Sequence, residues 1–300
     1  MVGSAIVRLL KNRGFDNLIL RSSKELDLRK SSLVKKFFAD EKPDVVVLAA
    51  ARVGGIQANI DHPAEFLHEN LCIQNNVIHE SYSHNVKQFC FLGSSCIYPR
   101  ECPQPMKEEY LLTGQLEPTN EGYALAKIVG LKMVEFYRRQ YDFHGISLMP
   151  CNLYGTNDSF DPLHSHVLSA LVKKFVDAVD DGITSVTVWG TGEARREFMH
   201  VVDAVEAILF FMENYDSSEV INIGWGQDIS IKELANLIAR KAGFKGKLIW
   251  DASKPDGMPR KCLDISRMKG FGYAPKIALE EGIEKTIGEY QELKERAAKE

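Results

Sequence analysis

The sequence predicts an α/β fold built on a doubly wound parallel sheet. Short apolar runs alternate with longer segments of helical spacing, and the runs lack the apolar–polar alternation of strands with one wet face. With 300 residues, 45% of them hydrophobic, the chain can bury a large core without disulfide support. Alternating strands and helices then favour a parallel sheet with right-handed crossovers.

The individual elements follow from this pattern. Strands are predicted at 17–20, 44–50, 86–92, 145–149 and 186–189, and helices from Gly3 onward, at 63–85 and at 120–141. After about Leu153 the pattern loosens into a Gly/Asn/Asp/Pro loop at 154–162, a Ser-capped helix at 230–243, a strand at 247–251 and a charged helical tail from Gly288. We expect a nucleotide-binding domain over 1–150 and a smaller substrate domain over 151–300, with 220–224 free to return to the main sheet.

The start of the chain departs from this fold class. Gly3 opens a helix directly, whereas a Rossmann-like dinucleotide fold first supplies a strand and a G-x-x-G-x-x-G turn. Only the last glycine of that turn could be present, as Gly3. Either the fold never had the turn, or the recorded chain begins about a dozen residues late; we expect the second, because a doubly wound sheet needs its first central strand.

Charge and composition narrow the function. Lys plus Arg number 37 and Asp plus Glu 41, a net charge of −4, which argues against a general nucleic-acid or membrane-surface binder. No apolar stretch reaches the roughly 20 residues of a spanning helix, and no signal peptide is recognisable. The 6 cysteines are scattered without a C-x-x-C pair, so we expect reduced thiols and a cytoplasmic location.

Tyr123 and Lys127 form the first motif that carries chemistry. At i and i+4 they share a helix face, and a lysine beside a phenol favours proton transfer by that phenol. Ser94 follows the strand at 86–92, and the carboxyl ends of strands are where open α/β sheets place their active sites. Alone, Y-x-x-x-K is also compatible with a solvated helix face.

A strand-end serine followed by Tyr-x-x-x-Lys resembles the extended short-chain dehydrogenases/reductases, and longer stretches are similar to the GDP-L-fucose synthase family within them. Those stretches are 50–55, 92–99, 116–121, 152–155, 165–167, 188–192, 196–198 and 254–257. Cys96, directly after the two serines, separates this family from related epimerases and dehydratases. The resemblance extends from residue 1 to about residue 290.

The resemblance implies an NADPH-dependent enzyme that epimerises C3 and C5 of GDP-4-keto-6-deoxy-D-mannose and then reduces its C4 ketone. It makes Cys96 the base and His166 the acid of epimerisation, with Tyr123 as proton donor, Lys127 as its partner and Ser94 on the ketone oxygen. From the residues alone, a buried packing cysteine is the favoured interpretation of Cys96. A metal site at His164 and His166 is disfavoured because no cysteine or carboxylate cluster is evident nearby in sequence.

Arg21 and Ser23 point to a cofactor independently of the family resemblance. Arg21 and Ser23 follow the predicted strand at 17–20, where an NAD site often carries an acid; a cation and a hydroxyl there suit the 2′-phosphate of NADP, though an exposed polar loop is the alternative. The resemblance adds Gly3 at the pyrophosphate, Asp27 and Leu28 near adenine, and His166 beside the cofactor. Along the nicotinamide half it adds Leu92, Gly93, Ser94, Ser95, Lys127, Pro150, Cys151, Asn152 and Leu153.

Substrate contacts implied by the resemblance are Lys174, Trp189, Arg196, Lys247, Asp256 and Lys261. Lys174 stands where the family usually has arginine, which keeps the charge and loses the bidentate fork. A solvated charge is the alternative for the cations, and a core position is the alternative for Trp189.

Other functions stay open at this stage: another sugar-nucleotide epimerase or reductase, a non-catalytic nucleotide-binding homologue, or a structural partner protein without a ligand. The two long predicted helices could pair with their copies in a four-helix bundle, so we expect a homodimer.

Overall fold

The computed structural model describes residues 1–161, 165–254 and 256–298. Its helices are α1 Val2–Asn12, α2 Ser31–Glu41, α3 Ile56–Asp61, α4 Pro63–Ser83, α5 Glu121–Tyr141, α6 Val167–Asp180, α7 Val201–Asn214, α8 Ile231–Ala242, α9 Ser266–Gly270 and α10 Leu279–Ala297. Its strands are β1 Val45–Leu48, β2 Gln88–Leu92, β3 Gly145–Pro150, β4 Asn152–Tyr154, β5 Ser185–Trp189, β6 Arg195–His200, β7 Ile221–Ile223, β8 Asp228–Ser230, β9 Lys247–Asp251 and β10 Arg260–Lys261. Short 3₁₀ helices lie at Ser95–Ile97, Glu108–Tyr110 and Pro118–Asn120.

The main sheet has the order β1-β2-β3-β7, and every pairing in it is parallel. Helices α4 and α5 pack together, α1 packs on α7, and both α5 and α7 contact β2 and β3. The predicted α/β class with a parallel sheet is therefore confirmed. The segment at 220–224 does return to this sheet, because β7 pairs with β3.

The strand predicted at 17–20 is wrong for this structure. These residues form no strand, and the side chains of Ile19 and Leu20 are exposed. A strand needs a neighbour to pair its backbone N–H and C=O groups. Within the described residues β1 pairs only with β2 and is an edge strand, and residues 17–20 do not pair with its free edge.

The close approach of α5 to the sheet depends on one glycine. A Cβ on Gly130 would lie 2.4 Å from the Phe91 ring of β2 and 2.8 Å from the Gln74 amide of α4. Since such contacts are repulsive, only glycine lets α4, α5 and β2 meet this closely. This packing fixes the first turns of α5 over the carboxyl end of β2.

Smaller sheets continue beyond the main one. Strand β6 pairs with β4 and β10 in parallel and with β8 in antiparallel fashion, and β5 pairs with β9. One buried hydrophobic cluster underlies the main sheet and includes Leu153, while a second begins at Tyr154 and gathers side chains from α6, α8 and α10. The first cluster resumes at Met199, so the chain crosses between the clusters more than once.

The predicted Ser-capped helix is confirmed in α8. The Ser230 hydroxyl accepts from the Glu233 N–H at 3.1 Å, the Glu233 carboxylate accepts from the Ser230 N–H at 2.9 Å, and Gly243 ends the helix with a φ of +78°. The six cysteines form no disulfide. Among the described helices, none has both the length and the apolar character that a membrane span requires.

Candidate active site

The candidate site begins where β2 ends. Gly93 donates its N–H to the Leu148 carbonyl at 2.9 Å, and a Cβ there would lie 2.3 Å from the Met149 sulfur, so a larger residue would displace the turn. The Ser94 hydroxyl then accepts the Cys96 N–H at 3.3 Å and starts the 3₁₀ helix Ser95–Ile97. This turn sets Ser94 and Cys96 at the carboxyl edge of the sheet.

Helix α5 brings Tyr123 and Lys127 to this edge. Lys127 is buried and donates to the Leu92 carbonyl at 2.8 Å, with its ammonium 5.8 Å from the centre of the Tyr123 ring. Burial lowers the pKa of Lys127 to about 8. Burial, aided by negative charge at Cys96, raises the pKa of Tyr123 although a hydrogen bond with Ser94 opposes the rise. Tyr123 is therefore a proton-bearing phenol near neutrality, and the lysine hydrogen-bonds a carbonyl rather than that phenol.

Cys96 lies among polar and cationic groups. Its sulfur accepts from the Asn120 amide and from the Lys261 ammonium, each at 3.3 Å. Burial alone would raise the pKa of the thiol; the Lys261 charge, hydrogen bonds from Ser94 and Lys261, and the Arg196 charge outweigh it and lower that pKa. These surroundings differ from those of an apolar packing cysteine.

Two other cysteines show what burial does to the pKa of a thiol that has no cation beside it. Burial raises the pKa of Cys90 and of Cys151, neither of which has a cation in contact with its sulfur among the described residues. The lowered pKa of Cys96 therefore comes from fixed positive charge and not from the cysteine itself.

Glu197 ties together the strands that carry the cations. Its buried carboxylate accepts the N–H groups of Gly226 at 2.6 Å and Leu263 at 2.8 Å, and burial raises its pKa to about 7. The neighbouring Arg196 pairs in register with Lys261 between β6 and β10. Glu197 thus holds the segment before β8 and the segment after β10 against β6.

His166 lies at the start of α6 with an exposed side chain that makes no hydrogen bond to the described residues. Its carbonyl accepts the Ala170 N–H at 3.0 Å, which begins the helix. The preceding Ser165 carbonyl lies 3.4 Å from the Cβ position of Gly55, so the segment after β1 packs on this helix start. No direct contact joins His166 to Cys96, and His164 lies outside the described residues.

The residues predicted for the adenosine half of a dinucleotide lie in α1 and in the segment that precedes α2. Arg21 ion-pairs with Glu41, with its guanidinium 5.7 Å from the centre of the Phe37 ring. Ser23 is exposed in a turn, Asp27 pairs with Arg29 at 2.9 Å, and the Leu28 carbonyl accepts from Asn76 at 2.8 Å. Gly3 lies in the first turn of α1, with its Cβ position 3.8 Å from the Ala49 Cβ.

The other half of the predicted cofactor site follows β3. Pro150 ends this strand, Cys151 donates its N–H to the Ile223 carbonyl at 2.9 Å, and Asn152 donates its amide to the Glu197 carbonyl at 2.8 Å. Leu153 is buried in the first cluster. These residues share the carboxyl edge of the sheet with Leu92 to Ser95.

These side chains fit a nicotinamide dinucleotide. The Lys127 ammonium has three N–H donors, and the described residues supply one oxygen acceptor, the Leu92 carbonyl. A buried cation with donors to spare suits the hydroxyls of a ribose. The first-turn N–H groups of α1 also suit a phosphate.

Trp189 and its neighbours form the predicted sugar-nucleotide side. The Trp189 side chain is 49% exposed, so the alternative of a core tryptophan is wrong. The ammonium groups of Lys254 and Lys174 lie 5.2 and 5.9 Å from its ring centre. Lys174 also donates to the Thr187 carbonyl at 3.0 Å, and partial burial lowers its pKa.

The Asp256 loop is fastened to the end of β5. Its carboxylate accepts from the Thr191 N–H at 2.9 Å and the Thr191 hydroxyl at 2.7 Å, and its carbonyl accepts from Arg196 at 3.0 Å. Gly190, with a φ of +84°, leaves room for this carboxylate, because a Cβ there would lie 2.2 Å from it. Lys247 is not brought to this group: it pairs with Ser185 at the opposite end of the β5–β9 ladder, roughly 13 Å from Trp189.

Three residues of the site were missed by sequence reasoning. Asn120 and Lys254 belong to stretches recognised as similar to the family, and their positions beside Cys96 and Trp189 come from the fold. Glu197 lies in the stretch 196–198, which also resembles the family, and the charged start of β6 gave no signal that this carboxylate would be buried.

Comparison with known proteins places the chain in a family. Residues 1–224 match the NAD dependent epimerase/dehydratase family, and the chain belongs to that family.

Two relatives that match nearly the whole chain carry the same activity in their names. Putative GDP-L-fucose synthase 2 of Arabidopsis thaliana is 54% identical over 292 residues, which are 97% of this chain and 89% of the relative. GDP-L-fucose synthase of Escherichia coli (strain K12) is 47% identical over 305 residues, 99% of this chain and 95% of the relative.

A solved structure agrees in fold. A GDP-mannoheptose C4 reductase from Campylobacter jejuni with NADP bound is 40% identical, with a TM-score of 0.88 over 97% of this chain and 95% of that one.

Proposed function

We propose that this protein is a GDP-L-fucose synthase that epimerises C3 and C5 of GDP-4-keto-6-deoxy-D-mannose and reduces its C4 ketone with NADPH. The observation that carries the proposal is the position of Cys96, whose sulfur is held by Lys261 and Asn120 two residues from Ser94 and beside Tyr123. One pocket therefore contains a thiol suited to remove a carbon-bound proton and a phenol suited to protonate a ketone oxygen. Relatives at 47% and 54% identity bear this name.

Epimerisation requires a base, an acid and a donor to the enolate. The Cys96 thiolate takes the proton on the carbon next to the ketone, so an S–H bond forms, the C–H bond breaks and the electron pair moves toward the C4 oxygen. Tyr123 and Ser94 stabilise the negative charge that develops on that oxygen. His166 returns a proton to the opposite face, which inverts the carbon. The sulfur then loses its proton to water and His166 takes a new one from water, so the same cycle serves C3 and C5.

Reduction uses the other set of side chains. NADPH, when bound, supplies the hydride to C4. Tyr123 gives its proton to the C4 oxygen, and its high pKa keeps that proton in place until the oxygen becomes basic. Lys127 binds the ribose next to the nicotinamide, and its positive charge favours the phenolate left after transfer.

The remaining predicted residues divide between the two ligands. For NADP we propose Gly3 at the pyrophosphate, Arg21 and Ser23 at the 2′-phosphate, Asp27 and Leu28 at adenine, and Leu92 to Ser95, Pro150 to Leu153 and His166 along the nicotinamide half. For the GDP-sugar we propose Lys174, Trp189, Arg196, Asp256 and Lys261, with Lys247 at the margin. Residues 1–150 then form mainly the NADP-binding domain and 151–300 mainly the substrate domain.

We also propose a homodimer built on α4 and α5. Leu125, Val129 and Phe136 project from α5 with exposed apolar side chains, and a surface depression of about 690 Å³ between α4 and α5 includes Val129 and Phe136. An exposed apolar face on two adjacent long helices suits an isologous four-helix contact. A cytoplasmic location is part of the proposal and is supported by the six unpaired cysteines.

The test of the proposed function is product analysis. The protein is incubated with NADPH and GDP-4-keto-6-deoxy-D-mannose, and the nucleotide sugar formed is identified by NMR. GDP-L-fucose with one NADPH oxidised per product supports the proposal. A C4-reduced sugar with unchanged C3 and C5 would instead identify a simple reductase, the activity named for the Campylobacter jejuni neighbour. Absence of turnover by folded protein would favour a non-catalytic nucleotide-binding homologue.

A further inference from the structure

The surroundings of the Cys96 sulfur contain two direct donors from distant parts of the chain. The Lys261 ammonium and the Asn120 amide each lie 3.3 Å from the sulfur. Lys261 is 165 positions away in sequence and reaches the sulfur from β10. A thiolate accepts hydrogen bonds and donates none, so two converging donors match the ionised form.

Lys261 has no carboxylate partner among the described residues. It is 8% exposed, and the sulfur is the one hydrogen-bond acceptor that the described residues provide for its ammonium. A buried ammonium without a carboxylate needs another anion nearby. A thiolate at Cys96 would supply that charge, because its sulfur lies 3.3 Å from the ammonium.

The strand that carries Lys261 is fastened on both sides. Lys261 pairs in register with Arg196, the following Cys262 donates its N–H to the Gln104 side chain at 3.0 Å, and Leu263 donates to Glu197 at 2.8 Å. An anchored backbone directs the lysine to one place. A lysine on an unanchored loop would instead take its position from a bound phosphate.

Asn120 is the second group that donates a hydrogen bond to the Cys96 sulfur. It begins α5, and its amide N–H donates to the sulfur while its side-chain oxygen is buried without a hydrogen-bond partner among the described residues. Leaving a buried oxygen unpaired costs about 1–3 kcal/mol. A negative charge on the sulfur would offset this cost, because it strengthens the hydrogen bond from the Asn120 amide.

We propose that Lys261 is a positioning residue for epimerisation: its ammonium holds Cys96 as the thiolate, and Asn120 orients the same sulfur. The proposal rests on the proposed function for its role in catalysis. Other charged or titratable groups that act on the sulfur are Arg196 and Tyr123, and Asp256 and Glu117 act in turn on Arg196. In the reaction the ammonium keeps its protons, and the sulfur takes the proton from carbon while the electron pair enters the enolate.

The test measures the thiol directly and needs no substrate. Full-length protein is alkylated with iodoacetamide from pH 5 to pH 10, and labelling of the Cys96 peptide is followed by mass spectrometry. Lys261→Met should slow alkylation of Cys96 at pH 7 by tenfold or more and move the pH profile upward. Lys261→Arg should keep most of the wild-type rate, and Lys245→Met, on an exposed lysine, should match the wild type. A Lys261→Met profile identical to wild type would overturn the proposal.

A second variant guards against loss of folding. Asn120→Asp keeps the shape and places a negative charge beside the sulfur, so it should also slow alkylation at pH 7; unchanged alkylation would contradict the proposal. If Lys261 only binds the GDP diphosphate, Lys261→Met raises KM and leaves the alkylation profile unchanged. Since product analysis tests the proposed function and alkylation tests the thiolate, failure of one is distinguishable from failure of the other.

Discussion

Two neighbouring groups of side chains at one edge of the sheet have pKa values with different dominant causes. In the first, Tyr123 and Lys127, burial dominates: it raises the pKa of the phenol and lowers the pKa of the lysine to about 8. In the second, burial also raises the pKa of the half-buried Cys96 thiol, but hydrogen bonds and the charges of Lys261 and Arg196 outweigh burial and lower that pKa. Fixed charge, and not depth, therefore separates a proton donor from a base within a single pocket.

The largest expected effect concerns the base and acid of epimerisation. Cys96→Ser and His166→Asn should each reduce GDP-L-fucose formation by about 10²–10⁴-fold, because each removes a group that moves a carbon-bound proton. Product formation is measured by chromatography of the nucleotide sugars. Normal turnover in both variants would show that neither Cys96 nor His166 moves a proton in epimerisation.

The next prediction concerns the phenol of Tyr123, in the first group. Tyr123→Phe should slow NADPH oxidation by about 10²–10³-fold, since it removes the donor to the C4 oxygen, with a smaller effect on proton exchange at C3 and C5. NADPH absorbance and deuterium uptake into the substrate measure the two steps. Equal loss of both would show that Tyr123 governs enolate formation as much as reduction.

Lys127 gives a prediction about stability. Its pKa lies near 8 in the folded protein and near 10.5 when unfolded, so the unfolded chain binds more protons between these values. The free energy of unfolding of the wild type, compared with that of Lys127→Met, should therefore rise by about 3 kcal/mol from pH 8 to pH 10.5. Urea unfolding across this range measures the difference between the two proteins. If their free energies of unfolding change in parallel with pH, burial does not lower the pKa of Lys127.

The smallest expected effect on catalysis comes from the proposed dimer contact. Phe136→Glu places a charge on an exposed apolar position of α5 and should convert dimer to monomer, with turnover changed by less than about threefold. Size-exclusion chromatography with light scattering measures the state. Wild-type protein that is already a monomer at micromolar concentration would contradict the dimer.

The sequence was sufficient for elements that carry their own local signals. Apolar runs located β1, β2 and β3, and the Ser230 capping box located α8. Residues 17–20 have the same apolar character but form no strand, because strand formation depends on a neighbour that the run does not encode.

In the candidate site, too, the sequence predicted residues but not the contacts that depend on strand pairing. Cys96 and Lys261 were each predicted from the family resemblance, yet their contact joins residues 165 positions apart and depends on the pairing of β10 with β6. Exposure of Trp189 and the distance of Lys247 from it also depend on which end of the β5–β9 ladder each residue occupies. Motifs therefore identified the participants, while the pairing of strands decided their partners.

Deuterium incorporation tests the central claim, that two distinct groups perform epimerisation and reduction, most directly. We incubate the wild-type protein and the Tyr123→Phe and Cys96→Ser variants with GDP-4-keto-6-deoxy-D-mannose and NADPH in D₂O. Mass spectrometry then measures the deuterium content of each nucleotide sugar. We predict deuterium at C3 and C5 of the wild-type product, deuterium in substrate recovered from Tyr123→Phe with little NADPH oxidised, and no exchange in Cys96→Ser. Full exchange in Cys96→Ser, or exchange lost in step with reduction in Tyr123→Phe, would contradict the account.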